Sequence, residues 1–204
     1  RIPPIRSIRN NENPVVSNSL KKYISENILF EDKDLLVFNK PSGLAVHGGS
    51  GISMGVIEAF RSLRKSDEYL ELAHRIDKDT SGCLIIAKSR LALSKIGESL
   101  QSNQVKKTYV ALVKGHWPKG KSKVNAPLKK NTLLSGERIV KVDKLGKRSV
   151  TNFEITEKYE NTTLLKINLE TGRTHQIRVH CQFSGMPIVG CLLYTSPSPR
   201  DTEV

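Results

Sequence analysis

The chain has 204 residues, with 33 lysines and arginines against 20 aspartates and glutamates, so its formal net charge is +13 at pH 7. This length allows one ordinary domain, and the hydrophobic fraction of 37% excludes a chain that is disordered throughout. No apolar run approaches the roughly 18 residues of a membrane span. The three cysteines form no Cys-x-x-Cys pair, so neither a disulfide framework nor a zinc ribbon is indicated. We expect a soluble, cytoplasmic chain with an anionic partner.

The predicted elements follow from two periodicities. Short apolar or alternating runs predict strands, whereas apolar residues three and four positions apart predict helices. The proline-rich residues 1–27 favour an extended linker, and residues 119–130 favour an exposed basic loop. In chain order the predictions are a strand at 35–38, a helix at 54–65, strands at 70–76 and 83–87, a helix at 91–100, strands at 108–113, 137–143, 149–158 and 162–170, and a helix at 174–184 with Thr174 as N-cap and Gly185 as its stop.

Strands outnumber helices in this order and do not alternate with them regularly. This pattern predicts an α+β fold with a largely antiparallel mixed sheet flanked by helices and loops, and it argues against a doubly wound parallel sheet. The positive charge is also uneven, because residues 101–180 hold 17 basic and 6 acidic side chains. The anionic partner is therefore expected at this part of the chain.

One polar turn, which contains Asp77, lies between two of the predicted strands. A carboxylate at a tight bend between apolar strands is held rigidly, and its side chain faces whatever lies over the turn. Aspartate is also common in turns because its side chain accepts hydrogen bonds from nearby backbone. The turn alone therefore leaves a catalytic and a structural role for Asp77 open.

Two further segments carry polar groups in places where they need an explanation. Residues 172–180 place four cationic or potentially cationic side chains in one short predicted helix, which is costly unless they are paired or face an anion. A solvated basic helix is the alternative interpretation. Tyr109 lies inside an apolar strand, where a core tyrosine is the usual explanation.

Four motifs follow one another along the chain: Lys40-Pro41-x-Gly43-x-x-x-His47, His74-Arg75-Ile76-Asp77-x-x-Thr80-Ser81-Gly82, Lys107-x-Tyr109 and Gly172-Arg173-Thr174-His175-Gln176-Ile177-Arg178-Val179-His180. In order and spacing they resemble the successive motifs of the RluA family of RNA pseudouridine synthases. Several motifs in register are far more specific than any one of them alone. The resemblance therefore implies the pseudouridine synthase catalytic fold.

The resemblance also implies a reaction, the isomerisation of uridine to pseudouridine in RNA without metal or organic cofactor. Asp77 matches the family's catalytic aspartate, Arg178 the arginine that pairs with it, and Tyr109 the tyrosine that stacks on the flipped uracil and assists loss of the C5 proton. Arg75 matches a position that fills the space left by the flipped nucleotide or contacts phosphate. The other residues that it places at the substrate or RNA are His74, Thr80, Arg173, His175, Gln176, Ile177, Lys40 and His47.

The same resemblance divides the chain into three parts. Residues 28–190 correspond to the catalytic domain, and residues 1–27 to a linker that follows a missing N-terminal S4 RNA-binding module. Residues 191–204 depart from the family's pattern, and we hypothesise that they are not native. Further detail, including the segment at 134–140, resembles a branch of the family that modifies 23S rRNA, and a monomer is expected.

Two other functions fit parts of the sequence. A metal-dependent nuclease would draw its ligands from His74, Asp77, His175 and His180, although their spacing matches no metal signature. A non-catalytic RNA-binding module would hold phosphates with residues 119–130 and the basic helix. Chelation of metal ions and replacement of Asp77 separate these alternatives from a synthase.

Overall fold

The computed structural model describes residues 16–49, 54–64, 68–102, 104–132 and 138–194. These residues form two compact units, of which the first ends at Ser102 and the second begins at Asn103. Predictions that concern residues 1–15, 133–137 and 195–204 lie outside the described residues. Within the described part of the chain, no helix has the length and apolar character needed to cross a membrane.

The described residues of the first unit form three helices and four strands. In chain order the elements are α1 (Asn18–Glu26), β1 (Ile28–Glu31), β2 (Leu35–Lys40), α2 (Val56–Leu63), β3 (Glu71–Leu72), β4 (Gly82–Ala87) and α3 (Arg90–Gln101), and the strand order across the sheet is β1-β2-β4-β3. The strands pair in an antiparallel sheet, in which β1–β2 and β3–β4 join nearby segments and β2–β4 joins segments that are distant in sequence.

The core of the first unit lies between β2 and α2. Leu36 and Phe38 are fully buried because alternate residues of β2 face the same side of the sheet. The ring of Phe60 on α2 meets that of Phe38 edge to face, with the centroids 5.2 Å apart. Burial of each such side chain stabilises the fold by about 1.5–3 kcal/mol. This packing fixes the two ends of the loop that joins β2 to α2.

In the second unit, the part of the chain that the structure describes forms six strands and one helix. Four strands form an antiparallel sheet, and the other two form a separate antiparallel ribbon. In chain order the elements are β5 (Thr108–Lys114), β6 (Lys123–Asn125), β7 (Leu128–Thr132), β8 (Arg138–Val142), β9 (Val150–Lys158), β10 (Thr162–Leu169) and α4 (Gln176–Phe183); the sheet order is β5-β10-β9-β6 and the ribbon is β7-β8.

Helix α4 contacts two buried clusters, and a glycine follows its C-terminal end. Val179 belongs to a buried cluster with Leu128 and Val140, and Cys181 belongs to a second cluster that includes Ile167. Gly185 has φ +79°, and the Met186 N–H donates to the Cys181 carbonyl oxygen at 3.0 Å. This is the left-handed stop predicted for the helix.

The predicted fold class is confirmed. The described residues form an α+β fold in which every pairing between the described strands is antiparallel. The predicted strands correspond to β2, β4, β5, β8, β9 and β10, and the predicted helices to α2, α3 and α4. The described strands form two four-stranded sheets and one two-stranded ribbon.

Four local predictions were wrong. Helix α1 occupies part of the predicted linker 1–27, because Ser17 caps it and Tyr23 and Ile24 pack against the core. The strand predicted at 70–76 is limited to β3, and the predicted loop 119–130 contains β6 and the start of β7. The N-cap of α4 is His175 and not Thr174. For residues 119–130, backbone pairing of β6 with β9 and of β7 with β8 outweighs the local composition.

Candidate active site

Asp77 lies in the connection between β3 and β4, where the chain reverses direction. The Thr80 N–H donates to the Asp77 carbonyl oxygen at 3.0 Å, which closes the turn. The preceding residue, Ile76, is 8% exposed and packs in the core of the first unit. Asp77 itself is half-buried. The backbone on both sides of this carboxylate is therefore fixed, while its side chain stays partly accessible.

The loop that follows β2 is bonded to the Asp77 turn. Both the Lys40 ammonium and the Gly43 N–H donate to the Lys78 carbonyl oxygen, each at 2.9 Å. The Ser42 hydroxyl donates to the Asp79 carbonyl oxygen at 3.0 Å. Three donors thus converge on the two residues that follow Asp77. This explains why the lysine motif and the aspartate motif occur together in one site.

Lys40 is a buried support of this turn. Besides Lys78, its Nζ donates to the carbonyl oxygens of Pro41 at 2.7 Å and Leu44 at 2.8 Å, so its three N–H groups are all used within the protein. Burial lowers the pKa of Lys40 to about 8, against the opposing effect of the nearby Asp79 and Asp77 charges. The side chain is 0% exposed. The predicted contact of Lys40 with RNA is therefore corrected.

Three more predicted residues flank Asp77. The Nε2 atom of His74 lies 3.1 Å from the Ile85 nitrogen and accepts its N–H, which requires this ring nitrogen to be unprotonated. Arg75 is exposed and Thr80 is half-buried. The Nε2 atom of His74 is thus used in a hydrogen bond within the protein, whereas the exposed guanidinium of Arg75 is accessible to an anion.

His47 belongs to a loop that is pinned against the start of α2. The Val56 and Ile57 N–H groups donate to the carbonyl oxygens of Ala45 and Val46, at 2.9 and 3.1 Å. A Cβ at Gly55 would come within 2.5 Å of the His47 backbone. The His47 ring is exposed, and its Nδ1 donates to the Gly48 carbonyl oxygen at 2.8 Å. A glycine at 55 is therefore needed for the close approach that presents His47.

In the second unit, Tyr109 and Ile177 border the same apolar cluster. Tyr109 lies on β5 opposite Ile167 of β10, and Ile177 lies on α4. Both side chains are half-buried and pack against the buried residues of that cluster. The two predicted residues of the uracil-binding surface are thus brought to one apolar region of this unit.

Arg178 lies on α4 and is half-buried. One of its guanidinium nitrogens, Nη1, donates to the Cys191 sulfur at 3.2 Å. Close by, the His175 Nδ1 and the Tyr194 hydroxyl lie 2.9 Å apart. The described part of the predicted non-native tail therefore contacts the helix that carries the predicted site residues.

The remaining residues of this motif divide into an exposed and a buried group. Arg173 is exposed, and its Nε donates to the Arg148 carbonyl oxygen at 3.2 Å. His175 is half-buried and has φ +53°, a left-handed conformation that only a few per cent of non-glycine residues adopt. Arg173 keeps an accessible guanidinium beside the exposed Arg148.

Gln176 belongs to the buried group, which corrects its predicted contact with RNA. Its Oε1 accepts hydrogen bonds from the Thr171 hydroxyl at 2.8 Å and the Arg173 N–H at 3.0 Å. Its Nε2 donates to the Val150 carbonyl oxygen at 3.0 Å and the Thr151 hydroxyl at 2.9 Å. The amide therefore makes all four hydrogen bonds available to it inside the protein.

The histidines named for a metal-dependent nuclease do not form a ligand set in the described residues, where no three His, Cys, Asp or Glu side chains are grouped. His180 is fully buried, and both ring nitrogens are used, with Nδ1 2.9 Å from the Thr151 hydroxyl and Nε2 3.0 Å from the Ala126 carbonyl oxygen. Burial lowers the pKa of His180, against the opposing effect of the Ala126 hydrogen bond. The chemistry of these donors gives the nuclease alternative no support.

The sequence profile of the RNA pseudouridylate synthase family matches residues 34–183. This match covers most of the chain and contains Asp77, Tyr109 and Arg178. The chain belongs to the RNA pseudouridylate synthase family. The family predicted from the four motifs is thereby confirmed.

Individual relatives of this chain share about half of its residues. It is 54% identical over 190 residues to the ribosomal large subunit pseudouridine synthase C of Pasteurella multocida, and 52% identical over 190 residues to that of Escherichia coli strain K12. Each comparison covers 92% of this chain, but only 58% and 59% of the relative. The chain thus spans somewhat less than three fifths of these relatives.

Solved structures of human pseudouridine synthase relatives share the fold. Human RNA pseudouridylate synthase domain containing 4 has a TM-score of 0.72 and 29% identity, covering 89% of this chain and 73% of that one. Human RNA pseudouridylate synthase domain containing 1 has a TM-score of 0.68 and 25% identity, covering 87% and 73%. The α+β architecture of this chain is therefore that of its family.

Thr151 and Thr171 are the polar residues at this site that the sequence analysis missed. Each of their hydroxyls bonds the Gln176 amide, and each lies in or beside a strand where a threonine is ordinary. The one available signal was the motif itself, because a glutamine and a histidine four residues apart share one face of a helix. Because Gln176 and His180 share one face of the helix, burial of that face requires polar partners opposite both side chains.

Proposed function

We propose that this chain isomerises uridine to pseudouridine in RNA, with 23S rRNA as its substrate and the bacterial cytoplasm as its place of action. The observation that carries the proposal is the half-buried Asp77 carboxylate on a rigid turn, in a chain that belongs to the RNA pseudouridylate synthase family. The names of its relatives, which are ribosomal large subunit pseudouridine synthases, support the choice of rRNA.

The reaction is an isomerisation and consumes no second substrate. The N1–C1′ bond of uridine breaks, the detached uracil turns, and C5 forms a new bond to C1′. N1 gains a proton and C5 loses one, so the overall composition of the nucleotide is unchanged. Positive charge develops at C1′ while the first bond breaks, and an ionised carboxylate stabilises or captures such a centre. This is the work proposed for Asp77, whether it attacks C1′ or removes the C2′ proton.

Arg178 and Tyr109 have complementary proposed roles. A guanidinium beside a carboxylate favours the charged form and fixes its orientation through two parallel hydrogen bonds. Arg178 is therefore proposed as the partner of Asp77. Tyr109 offers an aromatic face and a hydroxyl, which suit stacking on a flipped uracil and assistance to proton loss from C5. Ile177, beside the same apolar cluster, supplies further non-polar contact.

Accessible cationic groups are proposed to hold the RNA. Arg75 and Arg173 are exposed in their respective units, and Arg75 either fills the space of the flipped nucleotide or contacts phosphate. The 17 basic side chains of residues 101–180 add a positive potential that attracts the phosphate backbone without reading its sequence. His47, His74, Thr80 and His175 remain proposed contacts to the RNA.

Incubation of the chain with unmodified 23S rRNA tests the proposal. Pseudouridine is mapped by carbodiimide-blocked primer extension, in parallel for the wild type, the Asp77→Asn variant and the wild type with EDTA. We expect new stops at a small number of uridines for the wild type with and without EDTA, intact RNA, and no stops for Asp77→Asn. RNA cleavage that EDTA prevents would support a nuclease, and RNA binding without any stop would support a binding module.

A further inference from the structure

A buried hydrogen-bond network lies under α4. Its central members are Gln176 and His180 on the helix and Thr151 on β9, and none of the three is more than 2% exposed. Gln176 and His180 are four residues apart and share one face of α4. Arg178 is turned by about 200° from Gln176, because successive residues of a helix are separated by about 100°. The network therefore holds the side of the helix that lies away from Arg178.

The direction of each hydrogen bond follows from its partners. The Ala126 carbonyl can only accept, so His180 Nε2 carries the hydrogen and donates at 3.0 Å. Because burial disfavours the charged ring, Nδ1 is then unprotonated and accepts from the Thr151 hydroxyl at 2.9 Å. The same hydroxyl accepts from Gln176 Nε2 at 2.9 Å. The result is one directed chain of donors from Gln176 through Thr151 and His180 to Ala126.

The other half of the Gln176 amide binds the loop before the helix. The Val150 N–H donates to the Thr171 hydroxyl at 2.8 Å, and this hydroxyl donates to Gln176 Oε1 at 2.8 Å. The Arg173 N–H donates to the same oxygen at 3.0 Å. Every side-chain nitrogen and oxygen of the network has a hydrogen-bond partner, since no buried side-chain nitrogen or oxygen of the described residues lacks one. A network that is fully satisfied specifies one arrangement of its members.

We propose that Gln176, Thr151 and His180 are positioning residues, which fix α4 against β9 so that Arg178 leaves the helix in the direction its function requires. This inference rests on the proposed function of Arg178. Gln176 begins α4 and His180 lies one turn further along, so the helix is fastened on either side of Arg178. A shift of about 1 Å in a catalytic group lowers the rate about 100-fold, so loss of this fastening is expected to appear in turnover.

The chain offers a matched control for the central hydroxyl. Thr151 and Thr163 are both 0% exposed and lie on neighbouring strands of one sheet. Each hydroxyl donates one hydrogen bond and accepts one: Thr163 donates to the Gly115 carbonyl oxygen and accepts from the Trp117 N–H. Only Thr151 bonds to α4. Thr151→Val and Thr163→Val therefore each remove one buried hydroxyl. Only the hydroxyl of Thr151 is bonded to the helix that carries Arg178.

The test compares these two variants in three measurements: the free energy of unfolding, the Kd for 23S rRNA and the single-turnover rate of pseudouridine formation. We expect similar losses of stability and a Kd within about threefold of wild type for both. Thr151→Val should lower the rate at least about tenfold more than Thr163→Val, and it should have little further effect in an Arg178→Lys background. Equal rates in the two variants, or independent effects of Thr151→Val and Arg178→Lys, would overturn the proposal.

Two further measurements keep the test decisive. The first is the Thr151→Ser variant, which retains the hydroxyl and loses a methyl group, so it should keep the rate while losing stability. A loss of rate in Thr151→Ser, with the hydrogen bond retained, would contradict the proposal. This comparison can be made even if Thr151→Val does not fold. The second is the NMR order parameter of the Arg178 Nε–H, which should fall in Thr151→Val or in Gln176→Met but not in Thr163→Val. If the wild type formed no pseudouridine, the proposed function would fail, while this order parameter would still decide whether the network orients Arg178.

Discussion

Replacement of Arg178 by lysine changes the geometry of the side chain more than its charge. Arginine presents five N–H donors in a planar fork that matches a carboxylate, whereas lysine is a point charge on a flexible stem. We predict that Arg178→Lys folds normally and loses about 10–100-fold in single-turnover rate, since one hydrogen bond to a charged group contributes about 1.5–3 kcal/mol. Tritium release from C5-labelled RNA measures the rate. A variant with near-normal turnover would count against the proposed pairing with Asp77.

Tyr109 has two proposed functions, and removal of its hydroxyl oxygen distinguishes between them. Tyr109→Phe keeps the ring that would stack on uracil, and removes the hydroxyl that would assist proton loss from C5. General acid–base assistance contributes about 100- to 10,000-fold, so the late step should slow by that order while RNA binding is retained. Quenched-flow analysis of tritium release, beside a measured Kd, checks this. Weaker binding at an unchanged rate would assign the hydroxyl to recognition instead.

A sequence motif can nominate residues for a site, but it does not show which of them are buried. Asp77, Tyr109 and Arg178 could be selected because their motifs occur in a fixed order. Lys40 and Gln176 were predicted to contact RNA, because a sequence displays charge and polarity but not burial. Their roles depend on carbonyl groups and hydroxyls of distant segments, and these partners are ordinary residues in the sequence.

The burial of the Lys40 ammonium at the end of β2 leads to a pH-dependent prediction. The pKa of Lys40 is about 8 in the folded protein and 10.5 ordinarily, so between these values the unfolded chain binds one more proton. The free energy of unfolding attributable to this group therefore rises with pH from about 8 to 10.5 and is lowest below pH 8. Denaturant titrations of the wild type and Lys40→Met across this range should differ accordingly. A pH-independent difference would contradict the folded-state pKa.

The close approach of Gly55 to the His47 loop gives a second prediction, with a control on another helix. A Cβ at Gly55 would overlap the His47 backbone at 2.5 Å, so Gly55→Ala should cost about 1–3 kcal/mol in the free energy of unfolding. Gly97 lies within α3 with open space around its added Cβ, so Gly97→Ala should instead stabilise by about 0.5–1 kcal/mol. Urea denaturation of both variants measures these changes, and equal effects would contradict the packing described.

Secondary structure was predicted best where a segment's own pattern decides it. Alternation identified β2, and helical spacing with a glycine stop identified α4. Helix α1 was missed because the preceding prolines dominated its surroundings, although Ser17 and the spacing of Leu20, Tyr23 and Ile24 were visible signals. β6 was missed because it is short and basic, and its pairing with β9 comes from a segment far along the chain.

The whole molecule divides into two units with different proposed contributions. The first carries Asp77 on its braced turn, and the second carries Tyr109, Arg178 and the larger positive charge. We propose that the Asp77 carboxylate performs chemistry on a uridine that positive charge holds in place.

Single-turnover tritium release from C5-labelled 23S rRNA, measured for the wild type and Asp77→Asn at equal RNA occupancy, tests this claim most directly. Asn has nearly the same size as Asp, so binding should be retained while the ionised carboxylate is lost. We expect release of one tritium for each pseudouridine formed by the wild type, and none above background for Asp77→Asn. Release by Asp77→Asn at a rate comparable with that of the wild type would contradict it.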